Sequence, residues 1–306
     1  MTRPLTHLLL SVAVLGLMAC GGGGGGSMTT DPEMNDDDMA DEGGSPPPVI
    51  ATGTNGLVFG EAGQSLADAE AVEVAARSVG FVNGSDAEVT TALVTFDAGF
   101  FDAVTTGRSG TVQIRDETIT ITNGAGTLST GETVIATFEP DRAGTYAGAL
   151  DVSVVGTSSG ENAFVFGFET DPDIIADRQT GTLEYVGGFQ AFGFLNGVDN
   201  RSVEYEGDIT IAVDFSGVGS ADVTLNGQLD GRTEADLSGA LVIAGNGFSG
   251  DLACTSGCTG GDSSIDAGFF GPDADEVAGV LGLGFTADGD EFDGAGSFVL
   301  TDPVAR

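Results

Sequence analysis

The stretch VEYEGDITIAVDF, Val203–Phe215, decides how the rest of the chain is read. Val203, Tyr205, Ile209, Ile211, Val213 and Phe215 fall on one side of a two-residue period, and Glu204, Glu206, Asp208, Thr210 and Asp214 fall on the other. Such alternation is the mark of a strand with one dry face and one wet face. The next segment, ADVTLNGQLDG, repeats it, with Val223, Leu225 and Leu229 set against Asp222, Thr224, Asn226, Gln228 and Asp230. A strand of about 13 residues at about 3.3 Å each runs roughly 40 Å, and a meander of such strands must curl or close to hide its edges.

Further strands fit over Leu183–Phe194, Leu237–Ala244, Phe248–Ala253, Ser264–Phe270, Val277–Ala287 and Gly296–Leu300. The count comes to about eight, enough for a closed antiparallel up-and-down barrel. Its inward residues are expected to include Ile209, Ile211, Val213, Phe215, Val223, Leu225, Phe269 and Phe285. Only three tyrosines and no tryptophan are present, which does not suit the aromatic girdles of a membrane-spanning barrel. A soluble barrel this small is filled by its own side chains, so a ligand is expected on rim loops or on the preceding domain.

Strand signals before residue 181 are weaker: Glu88–Phe96, Thr111–Thr122, Glu132–Phe138, Tyr146–Val155 and Ala163–Glu169. In TVQIRDETITIT the apolar phase reverses around Asp116 and Glu117, which predicts a hairpin or a bulge there. One helix is expected, over Ser65–Arg77. The chain is therefore read as all-β: residues 51–180 form a smaller β-rich domain and residues 181–306 the barrel.

The chain opens MTRPLTHLLLSVAVLGLMACGGGGGGS. Arg3 supplies a positive start, Leu8–Leu17 a short apolar run, and small residues lead to a cut site, the layout of a secretory signal over residues 1–19. Leu17-Met18-Ala19-Cys20 resembles the lipobox of bacterial lipoproteins, which implies that Cys20 is lipidated and becomes the first residue. Gly21 stands where an aspartate retains such proteins in the inner membrane, so the resemblance implies an outer-membrane anchor. Residues 20–50 then read as a tether: six glycines, the acidic run around Asp36, Asp37 and Asp38, and the stiff Pro46, Pro47 and Pro48.

Composition removes several function classes. The formal net charge is −38, and all nine basic residues are arginine, so nucleic acid is excluded as a partner. The one histidine, His7, falls in the signal, and there is no lysine. Ser-His-Asp and Cys-His catalysis, histidine-bound zinc and Schiff-base chemistry therefore have no residues to use. No catalytic residue, metal site or cofactor is expected, and the chain is read as a non-enzyme. Cys254 and Cys258, in LACTSGCTGG, are expected to form a disulfide in an exported protein.

The stretch SIDAGFFGPDADEVAGVLGLGF, Ser264–Phe285, resembles the signature of the transferrin-binding protein B β-barrel domain family. The matching positions are Phe269, Phe270, Gly271, Pro272, Ala274, Glu276 and Gly279, with Ala278 in place of a glycine. Gly181, Tyr185 and Gly187 resemble the entry to that barrel. Physically, Pro272 ends the preceding strand, Asp273–Glu276 is expected to make one helical turn, and Gly279 to begin the next strand. The signature thus reads as architectural and carries no binding chemistry of its own.

The resemblance implies a handle-like first domain and a surface-displayed outer-membrane lipoprotein that binds a protein or solute ligand, in the service of iron or haem acquisition. The acidic surface implies a ligand that is basic or cationic where it meets this chain. A structural envelope lipoprotein without a ligand is the alternative, and a glycosidase working through two carboxylates a remote one. Cys20→Ala is expected to leave a soluble or unprocessed protein that incorporates no labelled palmitate. Label on the variant would overturn the assignment of Cys20.

Overall fold

The computed structural model describes residues 72–82, 88–96, 109–114, 117–156, 160–178, 181–196 and 201–305. The signal, Cys20 and the tether lie outside them. Eight strands come first: β1 (Val72–Val82), β2 (Glu88–Phe96), β3 (Ser109–Ile114), β4 (Glu117–Thr122), β5 (Ala125–Thr127), β6 (Thr133–Ala143), β7 (Ala147–Val155) and β8 (Gly160–Gly167). Each pairs antiparallel with the next, and β1 pairs with β8 to close the ring.

The expectation of a helix reaching Arg77 is wrong where it can be compared: Val72–Arg77 belongs to β1, and residues 65–71 lie outside the described set. Between Val72↔Phe96 and Gly80↔Glu88 this strand pairs with β2, and from Arg77↔Val165 onward it also pairs with β8. Backbone groups claimed by the ladder with β2 leave the helix propensity of Glu73, Ala75 and Ala76 no role. On either side of the phase reversal β3 and β4 pair antiparallel, with Val112 opposite Ile119 and Ile114 opposite Glu117, while Asp116 lies outside the described residues. Val112, Ile114, Ile119 and Ile121 all turn into the first core, alongside Val134, Leu150, Val152, Phe164 and Phe166.

A short helix that the sequence reading lacked, α1 (Pro172–Asp177), joins the two barrels. Asp171 caps it by accepting the Asp173 N–H at 2.9 Å, and Pro172 occupies the first turn, where no N–H is needed. Ile175 points into the second core, and the Arg178 guanidinium sits 5.3 Å from the centre of the Phe215 ring.

The second barrel consists of β9 (Thr182–Asn196), β10 (Arg201–Asp214), β11 (Ser220–Leu229), β12 (Thr233–Ala244), β13 (Gly247–Ser256), β14 (Ser263–Phe270), β15 (Glu276–Ala287) and β16 (Asp290–Leu300). Every connection joins sequence neighbours antiparallel, and β9 pairs with both β10 and β16, so the expected eight-stranded up-and-down barrel closes. A last short strand, β17 (Val304–Ala305), lies against the start of β9. Ile209, Ile211, Val213, Phe215, Val223, Leu225, Phe269 and Phe285 are all buried, while Asp208 is exposed. Aromatic rings fill the interior: Tyr205 stands 5.0 Å from Phe189 and 5.2 Å from Phe285, and Phe269 stands 5.6 Å from Phe215.

Two expectations about the signature turn need correction. Gly271–Ala274 form a turn rather than a helical turn ending at Glu276, because Ala274 takes φ +55° and Glu276 already opens β15. Gly279 sits inside β15, where a Cβ would come within 2.7 Å of the Ala267 Cβ and the Phe298 ring. Phe285→Ala, which empties a site against Tyr205 and Phe292, is expected to cost about 3–5 kcal/mol in reversible denaturant unfolding. A cost near zero would show that this ring does not support the core.

Candidate functional site

The signature residues converge on the junction between the barrels. Phe269 points into the second barrel beside Tyr185, Phe215 and Phe248. Its neighbour Phe270 points the opposite way, into an apolar seam with Ala147, Ala149, Ala163 and Val165 of the first barrel. Gly271, at φ +86°, donates its N–H to the Phe168 carbonyl and accepts from the Thr170 hydroxyl at 2.7 Å. Pro272 is half-buried, and the carbonyl of Ala274 accepts from the Tyr185 hydroxyl at 2.6 Å.

Glu276 is the member that reaches furthest across the junction. Its carboxylate accepts the backbone N–H groups of Thr145 at 2.5 Å, Tyr146 at 3.0 Å and Ala147 at 2.9 Å, in the turn from β6 to β7. Only 3% of the residue is exposed. Burial raises its pKa above the usual range, and the three N–H donors oppose that shift without cancelling it. Gly144 makes room for the carboxylate, since a Cβ there would fall 2.2 Å from an Oε atom. The signature alone held no sign of this partner, because Thr145–Ala147 lie some 130 residues away in sequence.

Away from the Glu276 contact, toward Ser153, a cleft of about 830 Å³ separates the two barrels. Thr137, Asp151 and Ser153 line it from the first barrel, and Gln190, Glu206 and Asp208 from the second. On the outer face of the second barrel carboxylates alternate with amides across the strands. Glu206 lies opposite Gln228, which lies opposite Glu234; Asp208 lies opposite Asn226, which lies opposite Asp236. Like charges directly opposite one another destabilise a ladder, and this spacing avoids that in both rows. The arrangement holds a negative field over a cleft wall, the chemistry of attraction for a cationic group.

The remaining positions singled out from the sequence lie elsewhere. Cys254, near the end of β13, and Cys258, in the segment that leads to β14, are joined by a disulfide, with Cα atoms 5.8 Å apart. The loop they restrain continues to Thr259, which exchanges two backbone hydrogen bonds with Thr286. Among the described residues no group of three His, Cys, Asp or Glu side chains is placed to hold a metal ion. Tyr185 and Tyr205 are buried, and burial pushes both phenols far above their usual range.

Residues 178–299 match the family model described as the C-lobe and N-lobe beta barrels of Tf-binding protein B. No curated protein sequence matches the chain. Among solved structures, it is similar to Transferrin Binding Protein B from Haemophilus parasuis Hp5, with 16% identity and TM-score 0.45 over 75% of this chain and 46% of that one. It is also similar to isotype 1 Transferrin binding protein B from serogroup B Neisseria meningitidis, with 15% identity and TM-score 0.42 over 75% and 43%. HpuA from Kingella denitrificans, solved in complex with human haemoglobin, gives 13% identity and TM-score 0.38 over 79% and 91%. The chain spans about half the length of the transferrin-binding protein structures it matches.

Glu276→Ala leaves three N–H groups without their acceptor and is expected to lower stability by about 3 kcal/mol in denaturant unfolding. Gly144→Ala is expected to be destabilising in the wild-type background and nearly neutral on top of Glu276→Ala, because the collision partner is then gone. Simple additivity of the two substitutions would refute the pairing.

Proposed function

We propose, from the match of residues 178–299 to the model of the C-lobe and N-lobe beta barrels of Tf-binding protein B, that the chain is a ligand-binding lipoprotein of the outer membrane. It is anchored through Cys20, displayed on the cell surface, and captures an iron- or haem-carrying protein that presents a basic face. The match over residues 178–299 carries this reading, since the family takes its name from a protein-binding activity. The lipobox-like sequence before Cys20 and the glycine run after it support the anchor and the reach of the tether. Asp151, Glu206 and Asp208 lining the inter-barrel cleft support a cationic contact. The chain acts by binding rather than by catalysis.

Binding of this kind is steered by charge, so its association rate falls as salt rises. The test couples protease shaving of intact cells with capture from host fluid by the purified full-length protein. Surface display predicts that shaving removes the protein, and protection would place it behind the outer membrane. Capture is expected to retain a basic iron or haem protein, with an association rate that drops at least about tenfold between low and high salt. The triple variant Asp151→Asn, Glu206→Gln, Asp208→Asn is expected to reduce the rate at low salt and flatten the salt dependence. Failure to retain any ligand at any salt concentration would favour an envelope lipoprotein with a structural role.

A further inference from the structure

We infer that the seam between the two barrels is a proton-sensitive joint, closed while Glu161 is protonated and loosened when it ionises. In the β7–β8 ladder Ser153 lies opposite Glu161, and Asp151 lies opposite Ala163. Two-residue alternation therefore puts Asp151, Ser153 and Glu161 on one face with Ala149 and Ala163. That face is turned away from the first core and toward the second barrel, because Ala149 and Ala163 pack in one cluster with Ala278, Val280 and Ala295. Ser153 donates its hydroxyl proton to Glu161 at 2.7 Å. Two residues along, the second barrel's Ser297 donates to Asp151 at 3.3 Å. The pair of neighbouring carboxyl groups thus borders the contact between the barrels.

An ionised Glu161 in this place loses solvation and meets the Asp151 charge. Burial is the larger cause, the Ser153 hydrogen bond opposes it, and Asp151 adds to it, together pushing the group up to about 7. On the elements packed against β8, the charged positions are few. Asp151 stands on β7, and Glu276 on β15 is held at the junction. On β1, Arg77 is opposite Val165 in register, while Phe81 is opposite Glu161. Asp293 is the buried acid of β16, and Glu184 is the acid of β9. Of these, Asp151 is the charge that bears on Glu161.

The sign follows from linkage. A carboxyl whose affinity for protons is raised in the closed seam favours closure at low pH, and that contribution is lost as pH rises from the ordinary carboxyl range through about 7. Because Glu161 lies outside the first core, separating the two faces gives it water without opening either barrel. Glu276 grips Ala147, at the other end of β7, roughly 20 Å from Ser153 at about 3.4 Å per residue. The geometry is that of a hinge at the Glu276 contact and a seam that opens at the Glu161 end.

The joint is independent of any ligand, and amide hydrogen exchange on the full-length chain tests it between pH 5.5 and 8.5 after correction for intrinsic rates. Peptides spanning residues 147–155, 160–167 and 290–300 are expected to exchange about tenfold faster at the alkaline end, with a midpoint near 7, while β10–β12 stays unchanged. Glu161→Gln is expected to remain protected throughout. A wild-type seam that does not respond, a response retained in Glu161→Gln, or equal loosening of β10–β12 would each overturn the inference. Should Glu161→Gln fail to fold, Asp151→Asn supplies the second reading: its midpoint moves to lower pH, because the neighbouring charge that pushes Glu161 up is gone, and an unmoved midpoint refutes the role of the pair.

Discussion

One carboxylate, that of Glu276, ties the two halves of this protein together. It accepts three consecutive backbone N–H groups, those of Thr145 and Tyr146 in the turn between β6 and β7 and that of Ala147 at the start of β7. A turn whose N–H groups converge needs an acceptor with more than one oxygen, and a buried carboxylate supplies one. The contact depends on Gly144, the turn residue over which the carboxylate lies, and on Gly271, whose backbone hydrogen bond to Phe168 brings β14 up to the inter-barrel segment. Each barrel closes within itself, but this exchange between a side chain of one and a backbone of the other orients the seam.

Small residues then decide how closely the barrels approach. Ala147, Ala149, Ala163, Ala278 and Ala295 form most of the contact, with Val165, Val280, Phe270 and Phe194 buried among them and Tyr146 packed against them. An alanine face allows two sheets to come together without interdigitating long side chains. The same closeness leaves Glu161 at a border where water is scarce, and Asp151 lines the cleft that begins where the alanines stop. Packing, local acidity and the negative cleft wall are thus three results of one approach between two sheets.

The high negative charge is arranged as well as abundant. On the second barrel it lies on outward positions, with an amide set between carboxylates in the rows led by Glu206 and Asp208. Inward positions stay apolar or aromatic, and the two interior tyrosines direct their hydroxyls to the carbonyls of Ala274 and Ala235. Charge therefore serves the surface without being drawn into the core.

The second barrel was legible because its information is local. Alternation in Val203–Phe215 names the inward face residue by residue, and antiparallel neighbours joined by short turns leave little choice of topology. In the first barrel, Val72–Arg77 misled because helix-forming residues can be held in a strand when the ladder with a neighbouring strand takes their backbone groups. The role of Glu276 and the placement of Asp151 beside Glu161 at a seam were beyond local reading altogether. Both depend on which outward face meets which, and an outward polar residue looks the same in sequence whether water or another sheet lies above it. Sequence by itself determined strands, inward faces and excluded chemistries; only the tertiary structure decided which acids are buried, because burial arises from surfaces distant in the chain coming into contact.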